Sequence, residues 1–148
     1  MDSELKQRVQ RSEDTLAIQQ LFNRYASYLD AGQFDRYAAL FSIDGEVKLG
    51  PLGRAKGRAE IEALMRRNLE ANVGQSYHII SNPIVELAGD TATSEVMWTV
   101  ILRAEGDRPV LGMIGRHRDE LIREEGEWRF KLRAGFVDIP SAMKANSE

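Results

Sequence analysis

Apolar residues recur every three or four positions up to about residue 70 and every second position after it, so the chain divides into a helical part and a strand part. From Ser12 or Asp14, either of which suits a helix N-cap, the residues Ile18, Leu21, Phe22, Tyr25, Ala26 and Leu29 fall on one face, and Gly32 supplies a stop. Asp30 extends the row made by Phe22 and Ala26 at steps of four, which puts an acid on that apolar face. Residues 1–11 are polar and read as an arm or a helical lead-in. A second short helix is expected over residues 34–41 and a short strand over 46–49. A loop follows at Gly50-Pro51-Leu52-Gly53. Past Gly57, the spacing of Ile61, Leu64, Met65 and Leu69 predicts a third helix ending near residues 72–74.

The rest reads as four long strands, at residues 77–87, 91–104, 110–123 and 127–139, with turns at Gly89-Asp90, Glu105-Gly106-Asp107 and Glu125-Gly126. Helices first and an antiparallel meander after them is an α+β order, not an alternation of βαβ units. In the last strand Trp128, Phe130, Leu132, Ala134 and Phe136 alternate with Glu127, Arg129, Lys131 and Arg133. That alternation predicts the first set buried, with Asp138 in line with it. The strand ending at Ala104 is apolar on both faces, Val96, Trp98, Val100 and Leu102 opposing Met97, Thr99 and Ile101. Helices can cover one face only. A homo-oligomer, dimer or trimer, joined through the outer sheet face is therefore expected.

Composition narrows the function. The 148 residues suit one domain, taken as residues 12–140 with a tail at 141–148. Without cysteine the chain has no disulfide, thiolate metal site or cysteine nucleophile. The net charge of −3 comes from interspersed signs, so no basic stripe invites nucleic acid. No apolar run suggests a membrane span or a secretion signal, and a cytoplasmic protein is expected. Two isolated histidines give no metal-ligand spacing, and neither a phosphate loop nor a Gly-x-Ser-x-Gly elbow is present, so no cofactor or metal is expected.

One constellation carries chemistry. His78 lies in an apolar strand-like run, and Asp30 closes the first helix, where the negative end of the helix dipole disfavours an acid unless a donor or cation answers it. If the carboxylate takes one ring N–H of His78, the other nitrogen is left as a tunable base. Taken singly, Asp30 reads equally as a turn residue, His78 as a satisfied core histidine, and Tyr25 as a packing residue. His117 shares strand parity with Leu111, Met113 and Asp119, a set that could point inward, and reads as structural, and the charges of Arg116 to Glu120 read as a solvated or interfacial ladder.

The ordered set Tyr25-x-x-x-Leu29-Asp30-x-Gly32-x-Phe34-Asp35, Ala38-x-Leu40-Phe41 and Gly126-x-Trp128-x-Phe130 resembles the SnoaL-like branch of the nuclear transport factor 2-like superfamily, over about residues 14–139. The resemblance implies a curved antiparallel sheet wrapped on three helices, a cone with an internal apolar pocket, in a superfamily of enzymes and non-enzymes. It matches scytalone dehydratase, bile-acid dehydratase and hexachlorocyclohexane dehydrochlorinase at Asp30 and His78, and the bile-acid enzyme also at Tyr25. Asp138 stands where the bile-acid enzyme has an arginine, and Trp98 where scytalone dehydratase has a second histidine.

The reading that follows is a cofactor-independent lyase acting on a small apolar, cyclic molecule, with His78, Asp30 and Tyr25 as catalytic residues. Trp98, Phe22, Met65, Asn82, Phe136 and Asp138 are expected around the substrate. An isomerase or polyketide cyclase using the same pocket is the first alternative. Ketosteroid isomerase belongs to this superfamily, but its base aligns with Leu49. A non-catalytic small-ligand-binding domain is the second.

Overall fold

The computed structural model describes residues 2–141. Asp2 caps the first helix by accepting from the Leu5 amide, so α1 runs Ser3–Asp30, starting well before the Ser12 or Asp14 expected from the pattern. The polar stretch before residue 12 is thus helical from Ser3, with residues 3–13 exposed. The tail expected at 141–148 lies, beyond residue 141, outside the described residues.

Asp14 is no cap but a buried mid-helix acid, accepting from Trp128 Nε1 at 3.1 Å, Arg123 at 2.9 Å and Gln10 at 3.0 Å. Burial opposes its charge, yet those donors, Arg123 foremost, outweigh burial and hold the carboxyl below its ordinary value. This ties α1 to the last two strands.

Helix α2, Phe34–Ala38, is shorter than expected, because the chain extends from Phe41 into β1, Phe41–Lys48. A 3₁₀ turn at Gly50–Leu52 and a three-residue strand β2, Arg54–Lys56, occupy the region read as loop. Helix α3, Arg58–Leu69, follows, then the strands β3 (Ser76–Ala88), β4 (Thr91–Ala104), β5 (Arg108–Glu124) and β6 (Glu127–Ile139). The four long strands fall where the alternation placed them.

They form one six-stranded curved sheet in the order β2-β1-β6-β5-β4-β3, antiparallel except for β1 beside β6. The helices cover its inner face in an α+β arrangement.

One departure decides what that face carries. Between β5 and β6, Leu121 pairs with Phe130 but Glu120 pairs with Leu132, so an extra residue enters β6 at Lys131 and every later side chain changes face. Trp128 and Phe130 point inward as expected. Beyond the bulge Arg133, Gly135 and Val137 are buried, whereas Leu132, Ala134, Phe136 and Asp138 belong to the outer face.

Arg133, read as solvent-facing, is 0% exposed. Its guanidinium lies over the rings of Tyr25 at 4.1 Å, Phe130 at 4.5 Å and Phe22 at 5.5 Å. Its Nε stands 3.0 Å from Asp119 Oδ1 of β5, an ion pair out of hydrogen-bond alignment, while Ser94 donates to the other carboxylate oxygen at 2.8 Å.

A charge so placed is costly to orphan. Arg133→Met should lose about 3–5 kcal/mol of stability in urea unfolding, because Asp119 is left buried and unpaired. Replacing Asp119 by Leu in the same chain should restore most of the loss. Equal instability of the single and double variants would contradict the pairing.

Candidate active site

The C-terminal half of α1 and the inner faces of β3 to β6 enclose a cavity of about 270 Å³. Tyr25 and Leu29, one turn apart on α1, form one wall, and Met65 and Leu69 of α3 another. Leu49, Pro51 and Leu52 close it after β1, and the sheet contributes His78, Trp98, Val100, Met113, His117 and Val137. Carbon dominates the lining, with a few polar atoms set into it, as in small-molecule sites generally.

Asp30 is the last residue of α1, and no basic residue lies in that last turn to answer it. The answer comes from β3. The carboxylate accepts the His78 backbone amide, at 3.0 Å through Oδ2 and 3.2 Å through Oδ1, and stands 2.7 Å from ring Nδ1 of the same residue. Both side chains are largely buried. Since β3 is the sheet edge, that amide has no strand to pair with, and the acid satisfies edge and ring together. With Nδ1 engaged, Nε2 is the nitrogen left to a ring that lines the cavity.

His117, read as structural, lines the same cavity. Its Nε2 is 3.4 Å from the Tyr25 hydroxyl, the two rings meeting edge to face at 5.1 Å. Burial, then the Arg133 charge, then His78 drive its pKa well below the ordinary value, so it stays a neutral imidazole. Burial likewise raises the Tyr25 phenol against the opposing pull of Arg133, and Tyr25 keeps its proton. Burial also raises Asp119, opposed by Arg133 and Ser94.

The Trp98 indole packs onto Gly115, its partner on β5. A Cβ on Gly115 would come within 2.2 Å of the indole and 2.1 Å of the Phe136 carbonyl oxygen. A glycine inside a strand marks such a close approach, and this one was a usable signal.

The structure thus brings Tyr25, His78, Trp98 and Met65 to one cavity, with Asp30 behind His78. Four expected lining residues lie elsewhere. Phe22 is packed beneath, against Phe130 and Arg133. Asn82 sits in a bulge of β3 at φ 52°, exposed, donating to Met97 Sδ at 3.1 Å. Phe136 and Asp138 are carried outward by the β6 bulge, where Asp138 accepts two bonds from Arg116 at 2.8 and 3.0 Å. The last strand does send an arginine inward, but it is Arg133. Among the described residues no group of three or more His, Asp or Glu converges as a metal site, and no helix is long and apolar enough to cross a membrane.

The family model for the SnoaL-like domain matches residues 10–134. The chain belongs to the SnoaL-like family. An uncharacterized protein of Mycobacterium tuberculosis is 30% identical over 117 residues, covering 78% of this chain and 80% of that protein. An NTF2-like protein of Novosphingobium aromaticivorans with a cystatin-like fold superposes with a TM-score of 0.83 at 29% identity, covering 99% of this chain and 97% of that one. A second protein of that organism, provisionally named a scytalone dehydratase, shares the fold at TM-score 0.73 and 23% identity, with 87% of each chain covered. The SnoaL-like assignment thus rests on sequence and on fold together.

A buried neutral histidine makes stability depend on pH with a defined sign. The unfolded chain takes up a proton near its ordinary pKa of about 6.5, while folded His117 resists until lower pH, so stability falls as pH drops below about 6.5. His117→Phe should flatten that part of the profile in urea unfolding at stepped pH. An unchanged slope would show that the ring is already accessible to protons.

Proposed function

We propose that this SnoaL-like protein is a cofactor-independent lyase. It eliminates water or a comparable small leaving group from an apolar, cyclic molecule held in the cavity. The observation that carries the reading is the 2.7 Å contact of Asp30 with His78 Nδ1 at the wall of that cavity. The carboxylate fixes the ring so that Nε2 can take a proton from carbon, and it stabilises the imidazolium that results. The apolar walls keep competing water away and strengthen every charge interaction inside. Tyr25, protonated, is placed to donate to charge that develops on the substrate. The provisional name of the Novosphingobium neighbour is compatible with this, though at that identity it speaks for the fold alone.

The isomerase or cyclase reading shares the pocket. It is weaker here because Leu49, at the position of the ketosteroid isomerase base, puts an aliphatic side chain into the cavity wall.

A panel of cyclic compounds bearing a hydroxyl or halide beside an acidic C–H should give a product lighter by the lost group, detected by mass spectrometry. His78→Ala should reduce that turnover by about 10²–10⁴-fold while circular dichroism stays unchanged. Full activity in this variant would remove His78 as the base, absence of any turnover by the wild type would leave a binding domain as the better reading, and a product of unchanged mass would favour the isomerase.

Ile79, Ile84 and Leu111 are exposed on the outer sheet face. They support the association between copies of this chain that its two-faced apolar strand leads one to expect. Sedimentation should show a dimer or trimer that Ile79→Glu weakens, whereas a monomeric wild type at high concentration would end that idea.

A further inference from the structure

Helix α1 carries apolar residues on two opposite sides. Ile18, Leu21, Phe22, Tyr25 and Leu29 face the sheet and are buried. Leu5, Val9 and Leu16 are 42%, 41% and 58% exposed. At about 100° of rotation per residue they lie within about 40° of one another and roughly opposite Ile18, so they point away from the core.

Early in α1 the side that would face the core is polar. Ser3, Glu4, Gln7 and Arg11 occupy it, and all are exposed. The side-chain hydrogen bonds of this stretch, Gln10 to Asp14 and Ser12 to the Arg8 carbonyl, stay within α1. Residues 3–13 thus gain no burial from the rest of the described chain. A helix of about three turns is marginal in water unless something packs on it.

The exposed stripe has the spacing of a coiled-coil seam. Leu5, Val9, Ser12 and Leu16 are separated by four, three and four positions. Ser12 suits a place in it, because its hydroxyl donates to the Arg8 carbonyl at 3.1 Å and needs no partner across the seam.

We infer that this seam pairs antiparallel with the same seam of a second copy of the chain. Leu5 then lies against the partner's Leu16 and Val9 against the partner's Ser12, each contact occurring twice about a two-fold axis. Charge selects this occupant. Lys6 and Glu13 are exposed on one flank of the seam, and the antiparallel register sets Lys6 beside the partner's Glu13, again twice. On the other flank Arg8 meets the partner's Thr15, so no like charges face one another.

The extent of the stripe agrees with that register. Its apolar part ends at Leu16, where the overlap also ends, since α1 starts at Ser3. A parallel pair would bring Gln20, Asn23 and Ser27 of the two copies together, the exposed polar residues that continue the outward line. Three apolar side chains per copy fall well short of the roughly 800 Å² per partner of a standard interface, so the pairing is weak. It is separate from association through the outer sheet face.

Sedimentation over a concentration series tests the pairing in an Ile79→Glu background, where association through the sheet is weakened. The chain should still self-associate at high concentration, less so as salt is added. Leu16→Glu should abolish this step. Lys6→Glu should weaken it about tenfold by turning two ion pairs into two repulsions, and adding Glu13→Lys should restore it. Amide exchange of residues 5–13 should slow as concentration rises, and not in Leu16→Glu. All these positions are exposed, so the variants leave the core untouched.

A monomer at every concentration, a step indifferent to Leu16→Glu, no rescue by the charge swap, or amide exchange that does not slow with concentration would each overturn the pairing. Weakening by Arg8→Glu but not by Lys6→Glu would overturn the antiparallel register, because Arg8 meets the partner's Glu13 only when the helices run parallel.

Discussion

A guanidinium with no exposed surface, pressed on three aromatic rings and paired with one carboxylate, is the constraint on which the interior depends. Removing Arg133 from water costs several kcal/mol, which Asp119 and the ring faces must offset together. That requirement locks β5 to β6 with both inner faces in one register. It also seats Tyr25, whose hydroxyl reaches His117. The same charge disfavours a second proton on that imidazole.

The consequence is a cavity whose two histidines differ in what answers them. His78 is met by a carboxylate, and His117 by a phenol with a cation close by. The Asp30 carboxylate engages Nδ1 of the one ring, and burial keeps the other a neutral dipole. The proposed proton transfer uses that difference between two groups of one type. The fold alone would not supply it, since the same sheet and helices carry unrelated functions.

Much of this was legible in the sequence because period carries secondary structure and the meander follows from turn chemistry. The Asp30–His78 contact was legible too, because an acid at a helix C-terminus needs a donor and the family resemblance pairs those two positions. What was not legible turns on single inserted residues. Lys131 adds one residue to β6, and Arg133 and Phe136 exchange faces. The irregularity at Asn82 does the same to β3, and the one near Gly112 turns Leu111 outward while Met113 faces in. Strict alternation hides a bulge, because the residues around it keep the composition of an ordinary strand. Burial of an arginine was beyond local pattern for another reason. Its partners, Asp119 and the rings of Phe22, Tyr25 and Phe130, come from three different elements.

Ring ¹⁵N spectra of the two histidines, recorded at a pH where both are neutral and assigned with His78→Ala and His117→Phe, test the arrangement most directly. The proton should sit on Nδ1 of His78, where Asp30 receives it, leaving Nε2 of that ring bare toward the cavity. A proton on Nε2 of His78 would mean that Asp30 does not orient that ring and that the cavity holds no free base.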